Sequence, residues 1–424
     1  MKKSLNRILI CVILYFSWQN ASAQRLQNFL YSEIHLVAQD SITIVYYSFR
    51  IPYDRFVFLK NGNEYTAKFR ISLEVTDSLS NHVTRQTEDK VLETDNFDET
   101  LSKDTYSEGT ISFNVKTGIY HLLPIITELN SNKDLRLPSL IVDASKKDFS
   151  EFYTPIVVDE DKYNCGGNDF FKLTNYDNFI PFSEKSYSLI IPTIDSTLKY
   201  IKVAIIKGTD TLYNNTISQY FNSYLSFSEC NNEILLKQDS AANSKQRIFV
   251  VTNFSQKLPE GDYVIYIFKN SETKPVIHFP IAVVWFNKPF SLRNPKEAIS
   301  DLQEIENADL VDSLLSMSSN VYEKELFNYW KKYDSTPETA FNPLMNEFYL
   351  RVDYAAKEFS TISRKNGAAT DRGKIFIKYG KPQKIERTSN EYGKMVEKWI
   401  YEKPFRAFEF VEKDGTGNYT LIKS

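Results

Sequence analysis

The chain has 424 residues, a formal net charge of −3, and 25% charged residues in which both signs are mixed. This length allows two to three domains, each with a core of its own. Because no long basic stripe runs through the sequence, we expect no nucleic-acid partner.

The N-terminus has the features of a secretory signal peptide. Three basic residues precede an apolar run from residue 8 to residue 18, and small residues follow at positions 21 to 23. The run is too short to span a bilayer, which takes about 20 residues. We therefore predict that residues 1–23 are a signal peptide and that the protein is exported, to the periplasm or in association with the outer membrane.

Two cysteines, Cys165 and Cys230, remain after this cleavage. An exported chain meets an oxidising compartment, in which a disulfide between them can form. Two independent cysteines are the other interpretation, and spacing in the sequence does not decide between them.

From residue 24 to about residue 290 the apolar residues recur with a period of two. In "YTAKFRISLEVT" the alternate residues from Tyr65 to Val75 are apolar and the residues between them are polar. This alternation is typical of a half-buried strand in an antiparallel sheet. Similar segments recur with turn residues between them and no long helix, which favours antiparallel β-sandwiches.

A weak internal repeat indicates that there are two such sandwiches in tandem. Gly118 and Tyr120 in "GIYHLL" correspond to Gly261 and Tyr263 in "GDYVIY", at an offset of 143 residues. In the segments that follow, Pro138 corresponds to Pro280. We predict one sandwich at 24–146 and a second at 147–290, separated by the polar stretch 143–152.

After residue 290 the period changes to that of helices, and we predict a helical segment at 291–365. Four pairs of residues have the features of helix starts. They are Asn294 with Pro295, Asn320 with Glu323, Thr336 with Pro337, and Asn342 with Pro343.

The last segment, 366–424, is predicted to be a small α+β domain that ends in an antiparallel meander. Its stretch "TDRGKIFIKYGKP" fits a short helix capped by Thr370 or Asp371 and ended by Gly380, and a strand is the alternative. Three short strands follow, in "EKWIYEK", "RAFEFVEKD" and "NYTLIK", with a hairpin turn at "DGTG". The predicted fold class is therefore mainly β, with two sandwiches, a helical segment and this α+β domain.

Four stretches of the last 80 or so residues carry a resemblance to a known family: "EFYLRVDYAAKEF", "NGAATDRGKIFIKYGKPQKI", "EKWIYEKP" and "AFEFVEKDGTGNYTLI". Through them this part of the chain resembles the C-terminal domain of the exported GWxTD domain proteins of Bacteroidota and related bacteria. Ala368 stands where the family has its motif tryptophan. The resemblance implies the architecture and an exported location, and it implies no reaction. The matching motif positions are Gly367, Thr370, Asp371, Arg372, Gly373, Tyr379, Gly380, Pro382, Trp399, Tyr401 and Phe410.

No residue pattern predicts a catalytic or metal site, and we predict no cofactor. The four histidines are scattered, and none lies after His278. Asp371 and Arg372 could polarise a substrate, but a helix cap with a local ion pair is the interpretation we favour. Lysines 374, 378, 381 and 384 could meet an acidic ligand, and a solvated surface is the simpler reading.

Three functions are compatible with the sequence. The first is a non-enzymatic envelope protein that binds a protein or glycan partner through its sandwiches. The second is an outer-membrane assembly factor that docks through its C-terminal domain, as a peripheral membrane protein. The third is a hydrolase, which requires carboxylates clustered in a pocket.

Overall fold

The computed structural model describes residues 30–39, 42–144, 152–239, 246–269, 272, 274–362, 364–403 and 405–423. The predicted signal peptide lies outside these residues, as does most of the predicted boundary stretch 143–152. The chain forms two compact units, one ending at Val284 and the other starting at Trp285.

The first sandwich is built from two antiparallel sheets. One sheet has the order β1-β2-β6, and the other has the central order β5-β4-β7-β9 with the short strands β3 and β8 beside it. A four-residue helix, α1 (Phe97–Thr100), connects β5 to β6. The strands are β1 (Tyr31–Gln39), β2 (Ile42–Pro52), β3 (Leu59–Asn61), β4 (Glu64–Asp77), β5 (His82–Thr94), β6 (Tyr106–Val115), β7 (Ile119–Glu128), β8 (Lys133–Arg136) and β9 (Leu140–Asp143).

The second sandwich has larger sheets. Seven strands follow the order β16-β19-β13-β10-β11-β18-β17, and five follow the order β12-β21-β20-β14-β15. All pairs are antiparallel except β12 with β21. The strands are β10 (Ile156–Cys165), β11 (Asn168–Leu173), β12 (Ile180–Pro181), β13 (Tyr187–Thr193), β14 (Ile201–Lys207), β15 (Asp210–Ile217), β16 (Tyr220–Asn222), β17 (Tyr224–Cys230), β18 (Glu233–Asp239), β19 (Arg247–Val251), β20 (Gly261–Lys269) and β21 (Ile277–Val284).

The two sandwiches have the same strand order. The sheet β1-β2-β6 corresponds to β10-β13-β19, and the sheet β5-β4-β7-β9 corresponds to β15-β14-β20-β21. A sheet of three strands packed on a sheet of four is the arrangement of immunoglobulin-like and fibronectin type III domains. Strands β11, β16, β17 and β18 are additions that widen one sheet of the second copy.

The repeated tyrosines occupy equivalent places in these two copies. Tyr120 lies at the start of β7 and Tyr263 near the start of β20, and each strand is the third of its four-stranded sheet. Each hydroxyl donates to the carbonyl four residues earlier, that of Lys116 at 3.0 Å and that of Pro259 at 2.5 Å. This contact is a tyrosine corner, which fixes the turn into the strand in many sandwiches.

The proline part of the predicted repeat is wrong. Tyr120 lies opposite Val142, whereas Tyr263 lies opposite Ile281. Pro280, opposite Val264, therefore corresponds to Ile141 and not to Pro138. The sequence offset shifted because the connection between β7 and β9, which contains β8, differs in length from that between β20 and β21.

Alternation places the core of the first sandwich as the sequence predicts. On β4, alternate side chains from Ala67 to Val75 are buried, and they pack with apolar residues of β2, β6 and β7.

The predicted mainly β fold class with an α+β C-terminus is confirmed.

A second apolar layer joins the two sandwiches into one compact unit. Val37 and Tyr46, from the outer face of β1 and β2, pack with residues of β10, β11, β13 and β17 to β19. The strands β13 and β19 are buried at every position because both of their faces are covered. The consecutive apolar residues within these strands, Leu189 to Ile191 and Ile248 to Val251, have the same cause.

Cys165 and Cys230 form a disulfide, with a sequence separation of 65 residues and 6.5 Å between their Cα atoms. It joins the end of β10 to the end of β17, and thus the tips of two hairpins of the second sandwich.

We expect the paired substitution Cys165→Ser and Cys230→Ser to lower the free energy of unfolding by about 4 kcal/mol, because opening a loop of this length increases the entropy of the unfolded chain. Chemical denaturation of the first unit measures the change. Reduction of the unsubstituted protein is the matched control and should give the same loss, whereas no loss in either experiment would contradict the prediction.

The C-terminal unit combines helices with a four-stranded antiparallel sheet of order β22-β23-β24-β25. The sheet starts with one strand more than the sequence predicts. Its strands are β22 (Lys384–Ser389), β23 (Met395–Glu402), β24 (Phe405–Glu412) and β25 (Tyr419–Lys423), and the helices are α2 (Pro295–Asp301), α3 (Ala308–Leu315), α4 (Tyr322–Trp330), α5 (Pro343–Glu358) and α6 (Asp371–Tyr379). None of the helices in the described residues is long and apolar enough to cross a membrane.

The predicted helix starts differ in outcome. Asn294 and Asn342 cap α2 and α5, each with proline as the first helical residue. The capping box at Asn320 is wrong, because a short 3-10 turn, Ser319–Val321, leads into α4 without a side-chain cap. Thr336 and Pro337 begin a turn closed by the amide of Thr339, and no helix follows there.

Candidate functional site

The stretch "TDRGKIFIKYGKP" forms α6, the helix of the two interpretations that the sequence left open. The Thr370 side chain accepts from the amide of Gly373 at 3.1 Å and so caps the helix. Gly380 ends the helix with φ of 76° and ψ of −158°, a backbone conformation that only glycine adopts readily. The hydroxyl of Tyr401, on β23, donates to the Gly380 carbonyl at 2.9 Å and fixes this end to the sheet.

Two further glycines of the motif allow close backbone approach. A Cβ atom on Gly373 would lie 2.1 Å from the carbonyl oxygen of Gly367. One on Gly367 would lie 2.3 Å from the carbonyl oxygen of Ala355, on α5. The turn at Gly367 and Ala368 is therefore packed at backbone distance against the start of α6 on one side and the end of α5 on the other, and Ala368 is buried.

The motif aromatics form a layer between α6 and the sheet. Trp399, 2% exposed, lies 5.0 Å from Phe410 between ring centroids, and both point to the same face of the sheet. Tyr379 of α6 lies 5.1 Å from Phe408 and 5.6 Å from Tyr401. Pro382, after the helix, is buried as well.

The acidic and basic residues of the motif bind parts of the fold. Asp371 accepts from the amide of Leu421, on β25, at 2.8 Å. Arg372 pairs with the buried carboxylate of Glu397 at 3.2 Å, and its guanidinium lies 4.1 Å from the ring centroid of Tyr419. The predicted local ion pair between Asp371 and Arg372 is replaced by these three long-range contacts.

Glu397 is a residue that sequence reasoning missed. Its carboxylate is held by Arg372, by Arg387 at 2.9 Å and by the indole nitrogen of Trp399 at 3.3 Å. The signal was present in "VEKWIY", where the period of two places Glu397 on the same face as Trp399 and Tyr401. A charged residue at a core position of a strand needs partners.

We expect Gly380→Val to lower the free energy of unfolding by about 1 to 3 kcal/mol, because a β-branched residue is strained at this φ and ψ. Its Cβ would also lie 3.2 Å from the guanidinium of Arg351. Thermal melting of the full chain measures the effect. Lys378→Ala and Lys384→Ala, both at exposed positions, are the controls and should leave the melting temperature unchanged. If these variants lowered the melting temperature as much as Gly380→Val, the strain at the helix end would not be the cause.

The predicted lysine cluster is a set of exposed side chains with separate neighbours. Lys374 lies 3.9 Å from Glu304, and Lys384 lies 2.6 Å from Glu386. Surface pairs of this kind contribute little to stability.

A cavity of about 290 Å³ lies beside the motif layer, between α4, α5 and α6. Its wall contains the aromatic residues Tyr329, Trp330, Tyr333 and Phe348, and its charged residues are Glu306, Glu347, Arg351 and Lys378. We call this cavity the aromatic groove. Sequence reasoning did not single it out, because its residues lie on several helices at a spacing that also fits a core.

Hydrogen bonds hold the polar residues of the aromatic groove in place. One carboxylate oxygen of Glu306 accepts from the hydroxyl of Tyr329 at 2.7 Å and from that of Tyr333 at 3.3 Å. Burial and this neighbouring carboxylate raise the pKa of Tyr329 above its ordinary value, so its hydroxyl stays a donor. Arg351 pairs with Glu347 at 2.7 Å.

The first unit has a buried ion pair where its two sandwiches meet. Arg50, on β2, pairs with Glu108, opposite it on β6, at 3.0 Å. The guanidinium lies between the rings of Tyr106 and Tyr176, at 3.9 and 4.0 Å from their centroids, and donates to the carbonyl of Thr174 at 2.8 Å. Tyr176 and Thr174 belong to the loop after β11, so this pair connects the second sandwich to the first.

Three more hydrogen bonds secure this junction. The amide of Asn178 donates to the buried carboxylate of Glu33, on β1, at 2.8 Å. At the edge of β6, Glu229 accepts from the amide of Thr110 at 2.6 Å, and Asn232 accepts from the amide of Glu108 at 3.0 Å. Because Cys230 lies between these last two residues, the disulfide braces the hairpin that covers the edge.

In the described residues, no group of three histidine, cysteine, aspartate or glutamate side chains could hold a metal ion. His35 is buried beside Glu33, with 3.1 Å between their side-chain atoms, and stacks on Phe227.

The fold thus defines a chain of two immunoglobulin-like sandwiches followed by an α+β unit. The family model of the GWxTD domain matches residues 264–424, so the chain contains a GWxTD domain there. This match starts well before the last 80 or so residues that carry the resemblance, and before the predicted domain at 366–424, and it includes the helical segment, β21 and most of β20.

A search of curated proteins finds no match to this chain. Among solved structures, the C-terminal domain of the Streptococcus pyogenes antigen I/II-family protein AspA is 9% identical, with 60% of this chain and 100% of that chain covered and a TM-score of 0.16. A structure described as BspA_C_WT is also 9% identical, with 60% and 94% covered and a TM-score of 0.14. Scores this low do not indicate a shared fold.

Proposed function

We propose that this protein is an exported protein of the cell envelope that binds and positions a partner and catalyses no reaction. The observation that carries the proposal is the junction of the two sandwiches. A shared apolar layer, the Arg50–Glu108 pair and three hydrogen bonds between backbone amides and side chains hold the sandwiches together. A stiff body of this kind keeps binding surfaces at a fixed distance, which lowers the entropy lost on binding.

The exported location is supported by the signal-peptide pattern of residues 1–23 and by the disulfide, which persists in an oxidising compartment. The motif stretch resembles domains carried by exported proteins of Bacteroidota and related bacteria, with Ala368 in place of the motif tryptophan. The partner is an envelope protein or a glycan.

Capture from the native envelope tests the proposal. The full chain is expressed in its own host with a C-terminal tag, cross-linked, and purified with its partner, and the N-terminus of the mature chain is sequenced. We expect a mature chain that starts at Gln24 and a partner from the envelope. A chain that stays in the cytoplasm, or capture that is equal for heat-unfolded protein, would refute the proposal.

A second candidate is an outer-membrane assembly factor that docks through the C-terminal unit. The face of its sheet opposite Trp399 carries Val396, Ile400 and Val411, partly exposed, and Phe405, which is 78% exposed. Such a face suits a peripheral contact. If the protein remains with membranes after a high-salt wash and Phe405→Ser releases it, the assembly factor replaces the binding protein as the proposed function. If the salt wash alone releases the unsubstituted protein, the assembly factor is refuted.

A further inference from the structure

We propose that the aromatic groove of the C-terminal unit is a binding site for a neutral saccharide. This inference rests on the proposed function, because it names the class of ligand that one surface of the binding protein takes. It is carried by the groove's ring surface, its balanced charge and its arrangement of donors and acceptors.

The groove offers a ring surface that is open to solvent. Tyr333 is 48% exposed, whereas its neighbours Tyr329 and Trp330 are buried and support it, with ring centroids 5.4 and 6.4 Å from that of Tyr333. Ile305 and Leu344, 40% and 45% exposed, continue the surface. The apolar C–H face of a pyranose ring can stack on such a tyrosine, which is already held in one orientation.

The charges of the groove favour a ligand without charge. Two carboxylates, Glu306 and Glu347, face two cations, Arg351 and Lys378, so the lining has no net charge. A phosphorylated or strongly acidic ligand would meet as many repulsive as attractive groups, and so would a basic one.

The same four charged groups disfavour a purely apolar side chain. An apolar ligand would remove water from these charges without replacing the hydrogen bonds, which is costly. The hydroxyls of a sugar both donate and accept, so they can replace water at a carboxylate and at a cation. The Tyr329 and Tyr333 hydroxyls already fix one oxygen of Glu306, which orients the carboxylate in advance.

The volume sets the size of the ligand. At about 290 Å³, the groove is at the small end of ligand sites in proteins, which are about 300 to 1,000 Å³. One or two sugar rings fill it, so the groove would hold the end or a short internal stretch of a glycan.

Titration of the full chain with small saccharides tests the inference. Maltotriose, cellotriose and triacetylchitotriose serve as neutral probes, a sulfated trisaccharide as the charged probe, and an uncharged peptide of alternating leucine and alanine as the apolar probe. Binding is followed by calorimetry and by ligand-observed NMR. We expect at least one neutral saccharide to bind, with its ring protons close to the protein.

Matched variants connect binding to the groove. Tyr333→Ala and Glu306→Gln should each weaken binding at least tenfold, with the melting temperature measured alongside. Tyr392→Ala and Glu391→Gln, on an exposed turn of the same unit, should leave it unchanged. Tyr333→Phe, which keeps the ring, should retain most of the affinity even if Tyr333→Ala proves unstable.

Three outcomes would overturn the inference: binding of the peptide or the sulfated probe in preference to the neutral saccharides, no binding of any probe, or saccharide binding that survives both groove variants. Failure here is distinct from failure of the proposed function. If the Tyr333→Phe and Tyr333→Ala chains both capture the envelope partner normally and no saccharide binds, only the saccharide site is refuted.

Discussion

Replacing Trp399 by alanine should lower the free energy of unfolding of the C-terminal unit by about 3 to 5 kcal/mol, the usual cost of truncating a buried tryptophan. The indole is 2% exposed and packs against Phe410 and against Phe359 of the segment that follows α5, with centroid distances of 5.0 and 5.5 Å. Its nitrogen also donates to Glu397. Removing it therefore opens a cavity and takes one partner from a buried carboxylate.

Calorimetry of the full chain measures this effect, since the two compact units can unfold in separate transitions. Trp399→Phe keeps a ring and loses the hydrogen bond to Glu397, so its loss should be smaller, about 1 to 2 kcal/mol. Tyr392→Ala, in which a 78% exposed ring is removed, is the neutral control. If Trp399→Ala and Tyr392→Ala melted alike, the aromatic layer would not be the core of this unit.

Replacing Arg50 by methionine should cost about 3 to 5 kcal/mol in the first unit, because Glu108 would keep its burial and lose its cation. Glu108 is 3% exposed, and one of its carboxylate oxygens has no hydrogen-bond partner in the described residues. The paired change Arg50→Met with Glu108→Met removes both charges and should recover most of the loss.

Denaturant unfolding of Arg50→Met, Glu108→Met and the double variant, together with the unsubstituted chain, forms the required double-mutant cycle. Recovery in the double variant would assign the cost to the unpaired carboxylate. A double variant as unstable as Arg50→Met would instead assign it to the contacts of Arg50 with Tyr106, Tyr176 and Thr174.

The same pair makes stability depend on pH. Burial raises the pKa of Glu108 to about 7, although Arg50 opposes the shift, compared with 4.5 for an ordinary glutamate. The folded chain then holds a proton that the unfolded chain releases above pH 4.5. This contribution to stability is complete below pH 4.5 and is lost as the pH rises through 7. We expect the unfolding free energy of the first unit to fall between pH 5 and pH 8, and we expect Glu108→Gln to make this fall smaller. If the pH dependence of the Glu108→Gln variant is unchanged, other groups are responsible for it.

The sequence predicts best those parts in which one periodic pattern determines the environment. The alternation of β4 places its buried face correctly because one face of that strand meets a core and the other meets polar surroundings. The caps Asn294, Asn342 and Thr370 were predictable because each acts within three residues of itself.

Contacts between distant segments could not be predicted in this way. Arg50 and Glu108 are 58 positions apart, and only the register of β2 with β6 brings them together. Likewise, the aromatic groove combines Glu306, Tyr333 and Arg351 from three separate segments. Within each segment, the residues that line the groove have a spacing that also fits an ordinary helix core. A local pattern can also give a wrong prediction. Asn320 and Glu323 fit a capping box, but a 3-10 turn leads into α4 there without a side-chain cap.

The family match and the second compact unit begin at different residues, and this difference decides where the chain can be cut to express its C-terminal part alone. The match begins at Val264, inside β20, whereas the compact unit begins at Trp285. A fragment cut at residue 264 would keep β21 and most of β20 but lose β14, which pairs with β20 along six residues. The backbone donors and acceptors of β20 that pair with β14 in the full chain would then be exposed at an open strand edge. Such an edge can pair with a second copy and so promotes aggregation. A fragment that starts at Trp285 breaks no strand pair, so expression trials of the C-terminal part should start there.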